Sequence, residues 1–278
     1  MKPAPFAYVA PREFDEVLEV LAEEAGDASV LAGGQSLLPL MAARELRPGV
    51  LVDVNGVADF PGAGESGEWG DGCFVGALDR QCDHERSAEA PLLAAALAHV
   101  GHAQTRHRGT VCGSLAHGDP MAEIPLALLV AGGLVEIASR GAARQVAVDD
   151  FLGDAFRPRV SADEVVTGCR WPDLGGGSTH SFVELQHGST LGAAACSLKL
   201  SQGGGWSLRV GVAGFADRPR VSVAELAAGD LDAAADVVRE LIHSGPLLET
   251  HDVGANYRGA LLGELGRRAI AECARSLR

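Results

Sequence analysis

The chain has 278 residues, 47% of them hydrophobic, and a formal net charge of −14. That length exceeds one core of ordinary size, so two or three packed subdomains are expected, and the acidic balance argues against a nucleic-acid partner, whose phosphates demand clustered Lys and Arg. No charge-free apolar run reaches the ~18 residues of a membrane span, and Cys73, Cys82, Cys112, Cys169, Cys196 and Cys273 form no CxxC pair, so neither an iron–sulfur cluster nor a zinc knuckle is read here.

The opening MKPAPFAYVAPREF lacks the basic-then-apolar order of a secretory signal, so residence in the cytoplasm is expected. Phe14, Val17, Leu18 and Leu21 recur at helical spacing before Gly26, and SVLAGG then reads as a short strand ending in glycines. Ser36 suits the N-cap of a helix from Leu37 to Ala43, and GVLVDVN is a second strand, giving a βαβ-like unit over residues 28–55. The Gly/Glu/Asp-rich stretch 58–72 reads as a connector. Its run Gly62-Ala63-Gly64-Glu65-Ser66-Gly67 satisfies GxGxxG but follows Pro61 rather than a strand, so it is not read as a dinucleotide fingerprint.

Beyond the connector, CFVGAL, LVEIAS and EVVTGCRW have strand character, while 88–100 and 123–131 look helical. After Pro172 comes GGGS. SFVELQ, AAACSLKLS and WSLRVGVAGFA then suggest a small antiparallel sheet, followed by helices near 231–243 and 255–276.

Two glycine-bearing segments carry the candidate chemistry. Leu31-Ala32-Gly33-Gly34-Gln35-Ser36-Leu37 joins a strand to a helix start, where main-chain N–H groups and the helix dipole favour an anion. No Lys or Arg lies between Val30 and Ala43, so such an anion would rest on amides, Gln35 and Ser36. An ordinary strand-to-helix turn needing glycine fits the same residues. The second segment, Gly109-Thr110-Val111-Cys112-Gly113-Ser114 through Glu123, reads as a long binding loop. Thr110 and Ser114 are candidate phosphate donors and Glu123 a candidate acceptor for ribose hydroxyls. Singly, Asp119-Pro120 also suits a turn and Glu123 a first-turn helix carboxylate. His99, His102 and His107 match no metal-ligand spacing, so no metal is assigned.

Together, AGGQSLLPLM with a following Val-Asp-Val strand, and GTVCGSLAHGDPMAEIP at its separation, resemble the FAD-binding medium subunits of molybdenum hydroxylases, such as those of carbon monoxide dehydrogenases and bacterial xanthine dehydrogenases. RVGVAGFADRP and Asn256-Tyr257-Arg258 extend the resemblance to the C-terminus.

The resemblance implies an α+β fold: a two-subdomain FAD-binding module of the vanillyl-alcohol-oxidase/PCMH type, residues 1–57 and 58–171, and a C-terminal α+β domain with a small antiparallel sheet, residues 172–278. It implies FAD held by residues 31–37 on one side, by Thr110, Val111, Cys112, Gly113 and Ser114 on the other, and by Glu123 at the ribose, with Val166 or Thr167 near the ring. It implies electrons arriving from a molybdenum-cofactor large subunit through an iron–sulfur small subunit and leaving to NAD or oxygen. Cys112 and Ser114 depart from the family's Gly and Asn or Asp, and His187 and Thr190 stand in place of a basic residue and a later Asp. The rival expectations are a stand-alone flavin oxidase or dehydrogenase, with His187 as its candidate catalytic group, and a scaffold that has lost flavin.

Overall fold

The computed structural model describes residues 2–24, 26–61, 67–69, 72–201, 203–251 and 253–277, so residues 62–66 of the rejected glycine run lie outside the described part. The first 57 residues build a parallel sheet of β1 (Ala7–Val9), β2 (Ala28–Leu31) and β3 (Val50–Asp53) in the order β1-β3-β2. Parallel neighbours need a crossover, and two helices supply it: α1 (Phe14–Glu23) and α2 (Leu37–Ala43). α1 buries the predicted Val17, Leu18 and Leu21 on one stripe. Its start is fixed by the Glu16 carboxylate, which accepts from the N–H groups of Arg12 and Glu13 at 2.7 and 3.3 Å.

The second sheet is antiparallel, in the order β4-β5-β8-β6-β7. Its strands are β4 (Gly67–Trp69), β5 (Gly72–Gly76), β6 (Leu134–Ser139), β7 (Ala142–Ala147) and β8 (Val165–Pro172). Between β5 and β6 the chain forms a 3-10 turn at Gln81–His84 and the helices α3 (Pro91–Leu97), α4 (Ala103–Arg108), α5 (Val111–His117) and α6 (Glu123–Ala131); α7 (Val148–Phe151) follows β7. The expectation of one long loop over 109–123 is corrected: seven of those residues are helix α5, and 118–122 form a turn in which the Met121 N–H bonds Asp119 Oδ1 at 2.8 Å. Val111, Cys112 and Leu115 are its buried side, and Gly118 ends it at φ +65°. Such a short apolar stripe, crowded by Gly, Ser and Thr, is hard to separate from a loop by pattern.

The third sheet runs β12-β11-β10-β9, all antiparallel, from β9 (Ser178–His187), β10 (Ser189–Leu200), β11 (Trp206–Ala213) and β12 (Arg220–Leu226). Both its faces are covered. Ala193 and Ala195 join the core shared with α6, whereas Ala194, Cys196 and Leu198 pack under α8 (Leu231–Ile242) and α9 (Ala255–Ser276). Burial on both faces explains why Ala193 to Cys196 read as an unbroken apolar run rather than alternating. α6 is buried from Ile124 to Ala131, and so serves as the common wall between the second and third sheets. No helix of the described residues is long and apolar enough to cross a membrane.

Arg258 is 1% exposed, and its guanidinium bonds the carbonyls of Leu248 (2.5 Å) and Leu191. It ties the first turn of α9 to the β9–β10 hairpin. Burial lowers its pKa, but the carbonyl partners compensate the buried charge.

Candidate functional site

The two glycine-bearing segments meet directly. A Cβ on Gly33 would lie 2.5 Å from the Arg108 carbonyl oxygen and 2.7 Å from the Gly109 Cα, so only glycine permits this approach. Gly34 follows with φ +72°, a conformation that disfavours other residues. At this junction the first segment is open: among the described residues the N–H groups of Gly34, Gln35, Ser36 and Leu37 have no acceptor in the chain, while those of Leu38 and Leu40 bond the carbonyls of Gly34 and Ser36. The Gln35 amide bonds back to the Gly33 carbonyl at 3.2 Å, holding the turn.

The second segment is more closed. The Val111 N–H goes to the Asp79 carbonyl, the Gly113 N–H to Thr110 Oγ1 at 3.0 Å and the Ser114 N–H to the Thr110 carbonyl. Thr110 is 2% exposed, so its hydroxyl serves as the N-cap of α5. Val111 and Cys112 turn their side chains into the core, where Cys112 Sγ lies 3.9 Å from Cys169 Sγ. That contact and burial push the Cys112 thiol well above its usual pKa. What these positions offer a ligand is the N–H groups of Thr110 and Cys112, which have no acceptor among the described residues, and the half-buried Ser114 hydroxyl.

A polar bridge that sequence reading did not single out locks the two segments together. Asn55 Nδ2 donates to the Ala32 carbonyl at 2.9 Å and to Asp53 Oδ1 at 2.6 Å. Arg80 spans the remaining gap, donating to Asn55 Oδ1 at 2.7 Å and to the Arg108 carbonyl at 2.6 Å. Tyr8 OH donates to Asp53 Oδ2 at 2.6 Å. Partial burial opposes ionisation of Asp53, but Tyr8, Asn55 and the Arg108 charge outweigh it and lower its pKa. Gln81 completes the seam: its N–H bonds the Gly109 carbonyl and its amide the Thr110 carbonyl. Asn55 and Arg80 are 25 residues apart, and no local pattern pairs them.

Glu123 opens α6, and burial, with added repulsion from Glu184 and Asp119, raises its carboxyl to about 7. Glu184, on β9, has a fully buried side chain. Its Oε1 accepts from Thr190 Oγ1 (2.5 Å) and Gln186 Nε2 (2.9 Å), and its Oε2 lies 3.6 Å from His99 Nδ1. Thr190 therefore holds a carboxylate in place, whereas His187 is exposed at the end of β9. Thr167, 5% exposed, sits where the β6–β8 register slips, between Gly168 opposite Glu136 and Val166 opposite Ile137. Such a bulge re-aims a side chain.

The donor set fits the diphosphate of a flavin dinucleotide: several free amides, hydroxyls from Ser36 and Ser114, no Lys or Arg in the first segment, and an acid beyond the second. Residues 4–174 match the family described as the FAD binding domain in molybdopterin dehydrogenase. The 6-hydroxypseudooxynicotine dehydrogenase complex subunit alpha of Paenarthrobacter nicotinovorans is 33% identical over 95% of this chain and 86% of its own length. The nicotine 6-hydroxylase medium subunit of the same organism is 31% identical over 98% of each chain. Among solved structures, a Cu,Mo-CO dehydrogenase chain superposes with a TM-score of 0.90 at 26% identity over 100% of both chains. Quinoline 2-oxidoreductase from Pseudomonas putida 86 gives 0.87 at 29%, over 100% of this chain and 99% of that one. The chain is thus an FAD-binding oxidoreductase component and belongs to the family of FAD-binding domains of molybdopterin dehydrogenases.

Proposed function

We propose that this chain is the electron-transfer flavoprotein subunit of a molybdenum hydroxylase, working with a molybdenum-cofactor subunit and an iron–sulfur subunit in the cytoplasm. The observation that carries the reading is the amide-lined junction at Gly33 and Gly109, in a chain whose full length is matched by medium subunits of such enzymes. Bound FAD supplies the exchange between one- and two-electron transfers, from iron–sulfur donor to NAD or oxygen. The protein's own work is to hold it. Residues 31–37 and 110–114 hold the diphosphate through N–H groups and hydroxyls, Glu123 accepts from ribose hydroxyls, and the Thr167 bulge stands beside the ring. In this reading residues 1–57 and 58–171 form a two-part module of the vanillyl-alcohol-oxidase/PCMH type and 172–278 the C-terminal domain.

The test is a comparison of the purified chain with the chain reconstituted with its molybdenum and iron–sulfur subunits. The expected result is a flavin absorption spectrum in both, with rapid bleaching by an organic substrate only in the reconstituted complex. Fast bleaching of the chain alone would replace the relay with a self-contained oxidase, and no flavin uptake from added FAD would overturn both.

A further inference from the structure

Glu184 is a carboxylate inside the protein for which the fold supplies donors to one oxygen and none to the other. Its side chain is fully buried on β9. Oε1 accepts from Thr190 Oγ1 at 2.5 Å and from Gln186 Nε2 at 2.9 Å. Oε2 has no hydrogen-bond partner, and among the described residues it is the only buried carboxylate oxygen in that condition. His99 Nδ1 lies 3.6 Å away, too far for a hydrogen bond. A carboxylate can accept about four bonds, and burying one short of donors is costly.

The satisfied side is firmly built. β9 and β10 slip register between Thr190 and Gly192, which leaves Leu191 as the extra residue, and the buried Arg258 guanidinium bonds the Leu191 carbonyl. Such a bulge re-aims its neighbours. Thr190 stands opposite Gln186 in the ladder, yet its hydroxyl reaches Glu184. Gln186 shares a face with Glu184, and its amide also bonds the His99 carbonyl at 3.1 Å, which ties β9 to the chain just after α3. Two donors thus fix one oxygen of Glu184 and leave the other open. Burial raises the Glu123 carboxyl, and the charges of Glu184 and Asp119 add to that, so the two glutamates are neighbours. The ion pairs of the described residues bring no Lys or Arg to either.

We propose that Glu184 is a second acid of the cofactor site, its open oxygen accepting from a sugar hydroxyl of FAD beside those held by Glu123. The proposal rests on the reading that places ribose hydroxyls at Glu123. Two neighbouring acceptors without a Lys or Arg suit vicinal hydroxyls, which bring two donors and no charge. The imide of the flavin ring suits them less, because its single N–H is flanked by two carbonyls that would face the second carboxyl. The adenosine ribose and the ribityl chain both carry such hydroxyls, and fragments of FAD tell them apart.

Glu184→Gln in the full-length, flavin-free chain is the test. Its Oε1 stays with Thr190 and Gln186, so the new amide nitrogen puts a donor where the open acceptor was. FAD affinity is expected to fall roughly tenfold or more by fluorescence titration, while thermal unfolding stays level or rises because a buried charge is gone. Thr190→Val, which frees the carboxylate to turn, is expected to lose FAD affinity severalfold. With ADP and FMN as separate probes, the loss in Glu184→Gln follows ADP if the adenosine ribose is the donor and FMN if the ribityl chain is. Wild-type FAD affinity in Glu184→Gln overturns the second acid, and a lower melting temperature beside it returns Glu184 to a structural role with His99. Gly33→Ala is the control: FAD lost there but kept by Glu184→Gln removes this proposal alone, whereas FAD kept by both removes the reading of the site beneath it.

Discussion

The two glycine-bearing segments solve the same task with opposite economies of hydrogen bonding. Among the described residues, Gly34 to Leu37 leave four consecutive N–H groups open, whereas Thr110 to Ser114 direct three of their five to Thr110 and Asp79 and keep two, on Thr110 and Cys112. The first segment is a receptor and the second a brace, joined through Asn55 and Arg80. The glycines of the two segments therefore have different meanings: Gly33 allows two backbones to touch, while Gly113 leaves room for the capping hydroxyl of Thr110, 2.6 Å from where its Cβ would be.

The sharpest way to break this contrast is Gly33→Ala. The new methyl would meet the backbone of Arg108 and Gly109, where nothing flexible gives way. Overpacking of this kind costs about 3 kcal/mol at its upper range, so FAD affinity is expected to fall roughly a hundredfold, measured by flavin retained per chain. Retention of wild-type flavin by this variant would show that the junction opens freely.

Glu123→Gln should separate stability from binding. The folded carboxyl is raised to about 7 from 4.5, so between these values the folded state keeps a proton that the unfolded chain has lost. Stability therefore declines as pH rises through that window and is level above it. Allowing for partial exposure, the variant should be more stable than wild type by about 2 kcal/mol at pH 8 and by almost nothing at pH 4, in urea titrations of flavin-free protein. Its FAD affinity should nevertheless drop, because the amide cannot match a carboxylate as acceptor for two hydroxyls. An unchanged pH profile of stability would mean that Glu123 is ionised in the folded chain.

Asn55→Ala removes the bridge and leaves both segments in place. Since the bridge is largely exposed, about 1 kcal/mol is expected, read as a several-fold loss of FAD affinity with little change in the isolated fold. An equal loss of thermal stability would recast Asn55 as a general support of β2 and β3.

Much of the fold could be read from the chain because its patterns are local. The stripe of Phe14, Val17, Leu18 and Leu21 and the β2–α2–β3 unit stand where the pattern places them, although Ser36 precedes α2 without making a side-chain capping bond. β1 escaped because three residues carry no period, and β7 because its residues are mostly exposed. At the site, the glycines and Thr110 were visible as composition, but the inward aim of Val111 and Cys112 depends on which face of α5 meets β5 and β8. Asn55, Arg80 and Glu184 act through partners far along the chain, which a single sequence does not pair.

The smallest expected effect tests the brace itself. Thr110→Ala deletes the acceptor of the Gly113 N–H, a capping loss of about 1 kcal/mol. Thr110→Ser keeps the hydroxyl and should recover most of that stability, since its Oγ can take the same bond. If the second segment is a brace, the alanine variant lowers thermal stability while FAD affinity changes by less than about threefold, because the Cys112 N–H is still presented by the remaining turn of α5. If instead Thr110 reaches the diphosphate directly, affinity falls more than stability, and serine restores binding before it restores the melting temperature. Paired melting and flavin titrations on the two variants separate these outcomes, and with them the division of labour between a segment that binds and a segment that holds.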